Sequence, residues 1–232
     1  MAQCRAARTR QALVHAAAEE FDRLGYHGAS LSAISQTIGM SLGALTFHFP
    51  AKDRLVEAVH ALGATLTQRE VARTEALTGC PLLRARAVLV AVTGLLRTEV
   101  VVRAAARLAV ERPCPGYDWT ATWVPALGTL LEEAHDTGCL RPEPAPREVT
   151  ALAVGLVAAL VPGPTAWAGD LVDEEKAVLL WDLLVSALQP EGRPRPDGPG
   201  GPPATGPRCC GRPCEDRRAM VPHGLGDTAE TY

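Results

Sequence analysis

Apolar residues in the first fifty positions recur every three or four places, in short runs separated by glycine. Leu13, Ala17, Phe21 and Leu24 share one face of a helix predicted over Thr9–Leu24, and Gly25 stops it. Ser30 is placed to cap a second helix that carries Leu31, Ile34 and Ile38 and ends at Gly39. Ser41 caps a third, through His48. Pro50 permits a fresh start, so Lys52 to roughly Thr78 reads as a long fourth helix, broken by Gly79-Cys80-Pro81. The same spacing predicts helices over Leu82–Leu96, Glu99–Val110 and Thr120–Thr137, with a turn-rich stretch at Pro113–Asp118 and a stop at Gly138. Pro146–Val161 and Asp173–Leu188 are apolar on more than one face, so each needs a second surface to cover it. Nothing alternates with period two. The pattern predicts an all-α chain of about nine helices.

After Leu188 the composition shifts to Pro, Gly, Arg and small residues, which have almost nothing to bury. Residues 190–232 are therefore expected to be a disordered tail. The remainder divides into a three-helix unit, 1–52, and a larger helical unit, 53–189. The chain's 232 residues suffice for a real core, built largely from Ala, Leu and Val, which favour helices. A net charge of −3 excludes a chain-wide polyanion binder, so any nucleic-acid contact must come from a local patch. The polar N-terminus does not resemble a signal peptide, and Val149–Val161 falls short of the roughly 20 residues that span a bilayer. Seven scattered cysteines, odd in number, argue against a disulfide framework. The expectation is a soluble cytoplasmic protein with reduced thiols and no membrane contact.

The segment AISQTIGMSLGALTFHFPAKDRL, residues 33–55, joins two short helices through a tight turn at Gly39. That arrangement places a second helix in the DNA major groove. An exposed Gly43 and Ala44 weaken an ordinary helix, but they suit one whose backbone approaches another surface closely. The landmarks Ala17, Phe21, Gly25-Tyr26, Ser30, Ile34, Gly39, Ser41, Gly43, Leu45, His48-Phe49, Lys52 and Leu55 resemble the N-terminal domain of the tetracycline-repressor (TetR) family. The resemblance implies a helix-turn-helix domain in which Leu42, Gly43 and Ala44, behind the capping Ser41, meet base edges. It implies phosphate contacts from Thr46, His48 and Lys52, and a phosphate or base contact from Ser32. Thymine methyl groups suit the apolar tip. Many members carry Tyr where this chain has Thr46, so the operator cannot be borrowed from the family. Arg5, Arg8 and Arg10 form a basic arm that adds salt-dependent affinity. Phe21, Ile34, Ile38, Leu45, Phe47 and Phe49 are expected to build the small core.

Further along, VVVRAAARLAVE (100–111), a Pro/Tyr/Trp turn, and LLEEAHDTGCLRPEPAPREVTALAVGLVAAL (130–160) are similar to the γ-butyrolactone (A-factor-type) receptors of antibiotic-producing actinobacteria, as is GALTFHF. That likeness implies a homodimeric repressor of secondary-metabolism genes, freed from a pseudopalindromic operator by a small lipophilic effector. The alternative within the same group is a regulator that answers to an antibiotic or another metabolite. A pocket for such a ligand needs apolar walls and a few placed polar groups. Val88, Val92 and Leu127 are candidates for the walls, Trp119 and Trp123 for rings against the ligand, and Thr93, Tyr117 and Thr120 for hydroxyls. The two last long helices are expected to form a four-helix dimer interface.

No cofactor, metal or enzyme activity is expected. Cys209, Cys210 and Cys214, with His223 nearby, fit no standard zinc spacing. Cys80, Cys114 and Cys139 lie beside turns and read as small core residues. His15, His27, His48, His60 and His135 are isolated from any nucleophile, and Glu19-Glu20 and Glu132-Glu133 read as solvated helix faces. A thiol-based redox sensor and an enzyme remain the rivals.

Overall fold

A computed structural model describes residues 2–112, 116–161, 174–190, 208–209 and 212–213. The helices are α1 (Ala2–Gly28), α2 (Leu31–Thr37), α3 (Leu42–His48), α4 (Lys52–Glu75), α5 (Pro81–Thr98), α6 (Val100–Glu111), α7 (Val124–Asp136), α8 (Pro146–Ala159) and α9 (Glu174–Leu188). A 3-10 turn, Thr120–Thr122, precedes α7. Two-residue strands, Arg208–Cys209 and Arg212–Pro213, pair antiparallel; the remainder of the 190–232 tail, with Cys210, Cys214 and His223, lies outside the described residues, as does Cys114.

The caps follow the sequence. The Ser30 hydroxyl accepts from the Ala33 N–H, and the Ser41 hydroxyl from the Ala44 N–H, satisfying a donor that each first turn leaves open. Gly25 breaks α1 with φ 70°, a conformation a side chain resists, and a Cβ there would also collide with the Glu111 carboxylate. α1 starts earlier than the periodicity predicts, because the alanines before Thr9 continue it, so Arg8 and Arg10 project from a helix. α7 starts later, at Val124, because the Asp118 carboxylate takes the Thr120 N–H at 2.9 Å and hydroxyl at 2.7 Å, folding that stretch into the 3-10 turn.

Two apolar clusters form. One joins α1–α4 through Leu13, Phe21, Ile34, Leu45, Phe49 and Val59, and it takes in Val101, Ala104, Ala105 and Leu108 of α6. The other lies among α5, α7, α8 and α9 around Val92, Trp123, Leu127 and Trp181. The first three helices thus share their core with α6. α4 and α6 meet nearly backbone to backbone at Gly63, where an added Cβ would lie 2.6 Å from the Ala105 Cβ and 3.2 Å from the Val101 carbonyl oxygen.

Polar contacts tie α6 to the same end. Arg103 Nε pairs with Asp22 at 3.0 Å, Arg107 donates to the Asp22 carbonyl at 2.6 Å, and the Tyr26 N–H donates to Glu111 at 2.7 Å. Burial pushes the Glu111 carboxyl up, but the bonds from Arg107 and the Tyr26 N–H, with the charges of Arg107 and His27, outweigh it and leave its pKa lowered. No described helix is long and apolar enough to cross a membrane.

Two expectations need correction. Phe47 is 85% exposed and takes no part in the small core, because its position on α3 faces away from α1. The thiols are not all reduced: Cys139 is disulfide-bonded, although it is also a buried core residue as expected. Cys80 is buried and free.

Candidate functional site

α2 and α3 meet at Gly39, whose φ of 63° is a left-handed turn conformation suited to glycine. Leu45 is buried and holds α3 on the small core, while Ser41, Leu42, Gly43 and Ala44 are exposed. A Cβ on Gly43 would meet nothing within 4 Å, so no contact inside the chain requires glycine there. The tip of α3 is a low ridge flanked by Leu42, 47% exposed, and by Phe47. The Phe47 ring stands edge-on to His48 at 5.6 Å. Thr46 donates its hydroxyl back to the Gly43 carbonyl at 3.1 Å, and Ser32 is exposed on α2.

Cations border this ridge. Arg10 lies 4.2 Å over the Phe49 ring and donates to the His48 carbonyl at 3.3 Å. Lys52 is placed differently from expectation: its ammonium donates to the carbonyls of Tyr26 at 2.7 Å and Ala29 at 3.0 Å, and it covers the Tyr26 ring at 4.2 Å. Its first duty is to clamp the α1–α2 turn onto α4. The start of α4 has no side-chain cap. Asp53 beside it accepts from the Tyr26 hydroxyl at 2.7 Å and lies 3.3 Å from Arg112. The Tyr26 hydrogen bond, helped by Arg112, holds the Asp53 carboxyl below its ordinary range against a small desolvation effect.

A second feature lies on the other side of α4. A pocket of about 180 Å³ is lined by His60, Ala64 and Gln68 of α4 and by Gly116–Trp119, Ala121 and Thr122 from the segment before α7. The Trp119 indole N–H donates to the buried Thr67 hydroxyl at 3.0 Å, pinning that segment to α4. The Tyr117 ring stacks on His60 at 5.4 Å and 19°. Trp123 packs against Trp119 at 5.9 Å, is fully buried, and leaves its indole N–H without a partner among the described residues.

The chain matches the bacterial regulatory proteins of the tetR family over residues 13–59, the segment that builds α1–α4 and the exposed ridge. It is 29% identical over 143 residues to the A-factor receptor protein of Streptomyces griseus, a match covering 61% of this chain and 49% of that protein. The chain thus spans about half the length of that curated relative. A solved gamma-butyrolactone receptor (ArpA-like protein) is 26% identical with a TM-score of 0.66, over 81% of this chain and 91% of its own. CprB of Streptomyces coelicolor, solved with its biological operator sequence, is 25% identical with a TM-score of 0.66 over the same shares.

Residues 13–59 form a tetR-family domain.

The expected pocket residues part company. Tyr117 and Trp119 line the pocket. Val88, Val92, Trp123 and Leu127 are fully buried in the larger core. Thr93 is buried too, donating to the Leu89 carbonyl at 2.8 Å and accepting from the Trp181 indole at 3.4 Å, which joins α5 to α9. The Thr120 hydroxyl is spent on Asp118. His60 and Gln68 were not anticipated as lining residues. A histidine and a glutamine eight positions apart on a long helix give no local signal, since only the return of the 116–122 segment encloses them. Among the described residues no group of three metal-ligating side chains comes together.

Proposed function

We propose that the chain is a ligand-responsive, DNA-binding repressor of secondary-metabolite (antibiotic) biosynthesis genes, released from a pseudopalindromic operator by a small lipophilic signal such as a γ-butyrolactone. The observation that carries this reading is the capped, exposed α3 tip, Leu42–Ala44, on a chain whose relatives include butyrolactone receptors. Leu42, Gly43 and Ala44 approach base edges, with their small surfaces against thymine methyls. Ser32, Ser41, Thr46 and His48 reach the phosphates. Uncapped N–H groups at the start of α4 attract a phosphate as well, and the Lys52 charge strengthens that field even though its ammonium is held inward.

The chain acts as a homodimer. Leu152 of α8 and Leu179, Leu180 and Leu183 of α9 are large apolar side chains exposed on the two helices that the sequence pattern left needing a second surface. Pairing them with the same face of a second copy covers that surface and presents two α3 tips to successive major grooves, roughly 34–36 Å apart.

The effector occupies the pocket lined by Tyr117 and Trp119 and extends toward Trp123, whose indole N–H has no partner among the described residues; reaching the candidate wall residues Val88, Val92, Thr93 and Leu127 would require it to open the larger core in which they are buried. α4 is at once the pocket's wall and the rod that carries the reading head, so ligand that favours a swung α4 separates the two heads. A differential affinity of about 1–3 kcal/mol suffices for such coupling. The test is operator release in a gel-shift titration with acyl-substituted γ-butyrolactones and with metabolites of the neighbouring biosynthetic genes. Release by a member of either set supports the reading; a purified dimer that holds its operator against all of them contradicts it.

A further inference from the structure

Tyr26 sits where the ends of three helices converge, directly after the break in α1 at Gly25. Its main-chain N–H donates to Glu111 at the end of α6, and its hydroxyl donates to Asp53 at the start of α4. The Lys52 ammonium and the Arg112 guanidinium both lie over its ring, at 4.2 and 4.7 Å. Arg112, the residue that closes α6, also reaches the Asp53 carboxylate at 3.3 Å. We propose that Arg112 is a positioning residue for operator binding: by latching Tyr26 and Asp53 to the end of α6, it fixes the angle at which each reading head is held, and with it the half-site spacing that the dimer accepts.

The inference rests on the reading of the chain as a homodimer with two α3 tips on one operator. Apolar packing holds α4 against α6, but it is non-directional. Its tightest point is the Gly63 crossing, against Ala105 and the Val101 carbonyl. One close crossing resists separation better than rotation about the contact point. Asp53 lies ten residues before Gly63, about 15 Å along α4, so a directional contact there opposes that rotation with a long arm. A turn of about 5° about Gly63 moves the start of α4 by about 1.3 Å. The two-fold axis doubles this to about 2.6 Å, most of the roughly 3.4 Å between adjacent base pairs. The Tyr26 hydrogen bond, helped by Arg112, keeps the Asp53 carboxyl below its ordinary range, so the latch is charged at neutral pH. The Arg112 side chain is 47% exposed and fills no core space, so its contacts orient the helices more than they hold the fold together.

The experiment compares wild type, R112A, R112K and Y26F on three duplexes. These are an inverted-repeat operator recovered by genomic footprinting, the same operator with one base pair inserted at its centre, and an isolated half-site. The insertion displaces the half-sites by roughly 3.4 Å and turns one by roughly 35°. Binding is read by anisotropy and folding by thermal melting. R112A should melt within about 4 °C of wild type and bind the half-site within about twofold. It should bind the intact operator about tenfold more weakly, about threefold for each of the two latches lost. Its preference for the intact over the inserted operator should fall at least threefold below that of wild type. R112K keeps a cation near Tyr26 and Asp53 and should recover that preference to within about threefold; Y26F, which loses only the hydroxyl bond, should fall between R112A and wild type. An R112A protein that discriminates against the insertion as wild type does overturns the latch and leaves paired reading intact. An R112A protein weakened by the same factor on half-site and operator overturns it too, and a salt slope lowered by about one then identifies Arg112 as a phosphate ligand. A wild type that protects no inverted repeat overturns paired reading and the latch together.

Discussion

Gly63 supplies the sharpest test of how the two halves are joined. Replacing it with alanine puts a methyl carbon 2.6 Å from the Ala105 Cβ, against the roughly 3.5–4.0 Å of an unstrained carbon contact. Neither atom can rotate away, since each is a Cβ on a helix, so α4 and α6 must separate by about 1 Å. Overpacking of this kind costs about 1–3 kcal/mol, and the better helix propensity of alanine returns up to about 1 kcal/mol. The expected net loss is about 1–2 kcal/mol in urea unfolding, with weaker operator binding in fluorescence anisotropy, because Lys52 lies eleven residues, about 16 Å, down the same rod. Ala105→Gly in the Gly63→Ala background removes the opposing methyl and should recover at least half of both losses. Adjacent groups couple by about 0.5–3 kcal/mol, so the cycle is measurable. A Gly63→Ala protein with wild-type stability and affinity, or a double variant that recovers nothing, refutes the reasoning.

Gly43→Glu should leave the melting temperature within about 2 °C of wild type, since nothing lies within 4 Å of the new Cβ, while operator binding is lost in a gel shift. Leu179→Lys together with Leu183→Lys, at positions 58% and 66% exposed, should give a folded monomer by sedimentation with operator affinity reduced at least a hundredfold. Stability should fall with acidification through His60. Its folded pKa lies below its ordinary value of 6.5, so its contribution is complete above that value and is lost as pH drops through 6.5 toward the lower folded value. Urea midpoints measured from pH 7.5 to 5 should therefore decline more steeply for wild type than for H60F.

Much of this fold was legible because its signals are local. Ser30 and Ser41 cap the helices they were expected to cap, Gly25 and Gly39 turn where glycine was expected to turn, and α4 and α8 begin at the predicted residues. The exposed α3 tip was read from the oddity of Gly43 and Ala44 within a helix. What sequence reading missed depends on partners far along the chain. Phe47 looks like core by composition, yet the face it occupies has no helix against it. The hold of Lys52 on the Tyr26 and Ala29 carbonyls, 26 and 23 residues before it, has no local signal either. The two tryptophans were indistinguishable in sequence; Thr67, 52 residues away, separates the one with a hydrogen bond from the one without. The Arg103, Arg107 and Glu111 contacts to α1 span 81–85 residues and leave no periodic trace.

The central claim is that two α3 tips, one from each of two copies, read one DNA site together. Footprinting of the purified protein on genomic DNA, with the stoichiometry of the isolated complex taken by sedimentation, tests it most directly. The account predicts inverted-repeat protection whose half-site centres lie one helical turn, or a whole multiple of it, apart, with an even number of protomers per site. Protection of asymmetric sequence by a single protomer would contradict it.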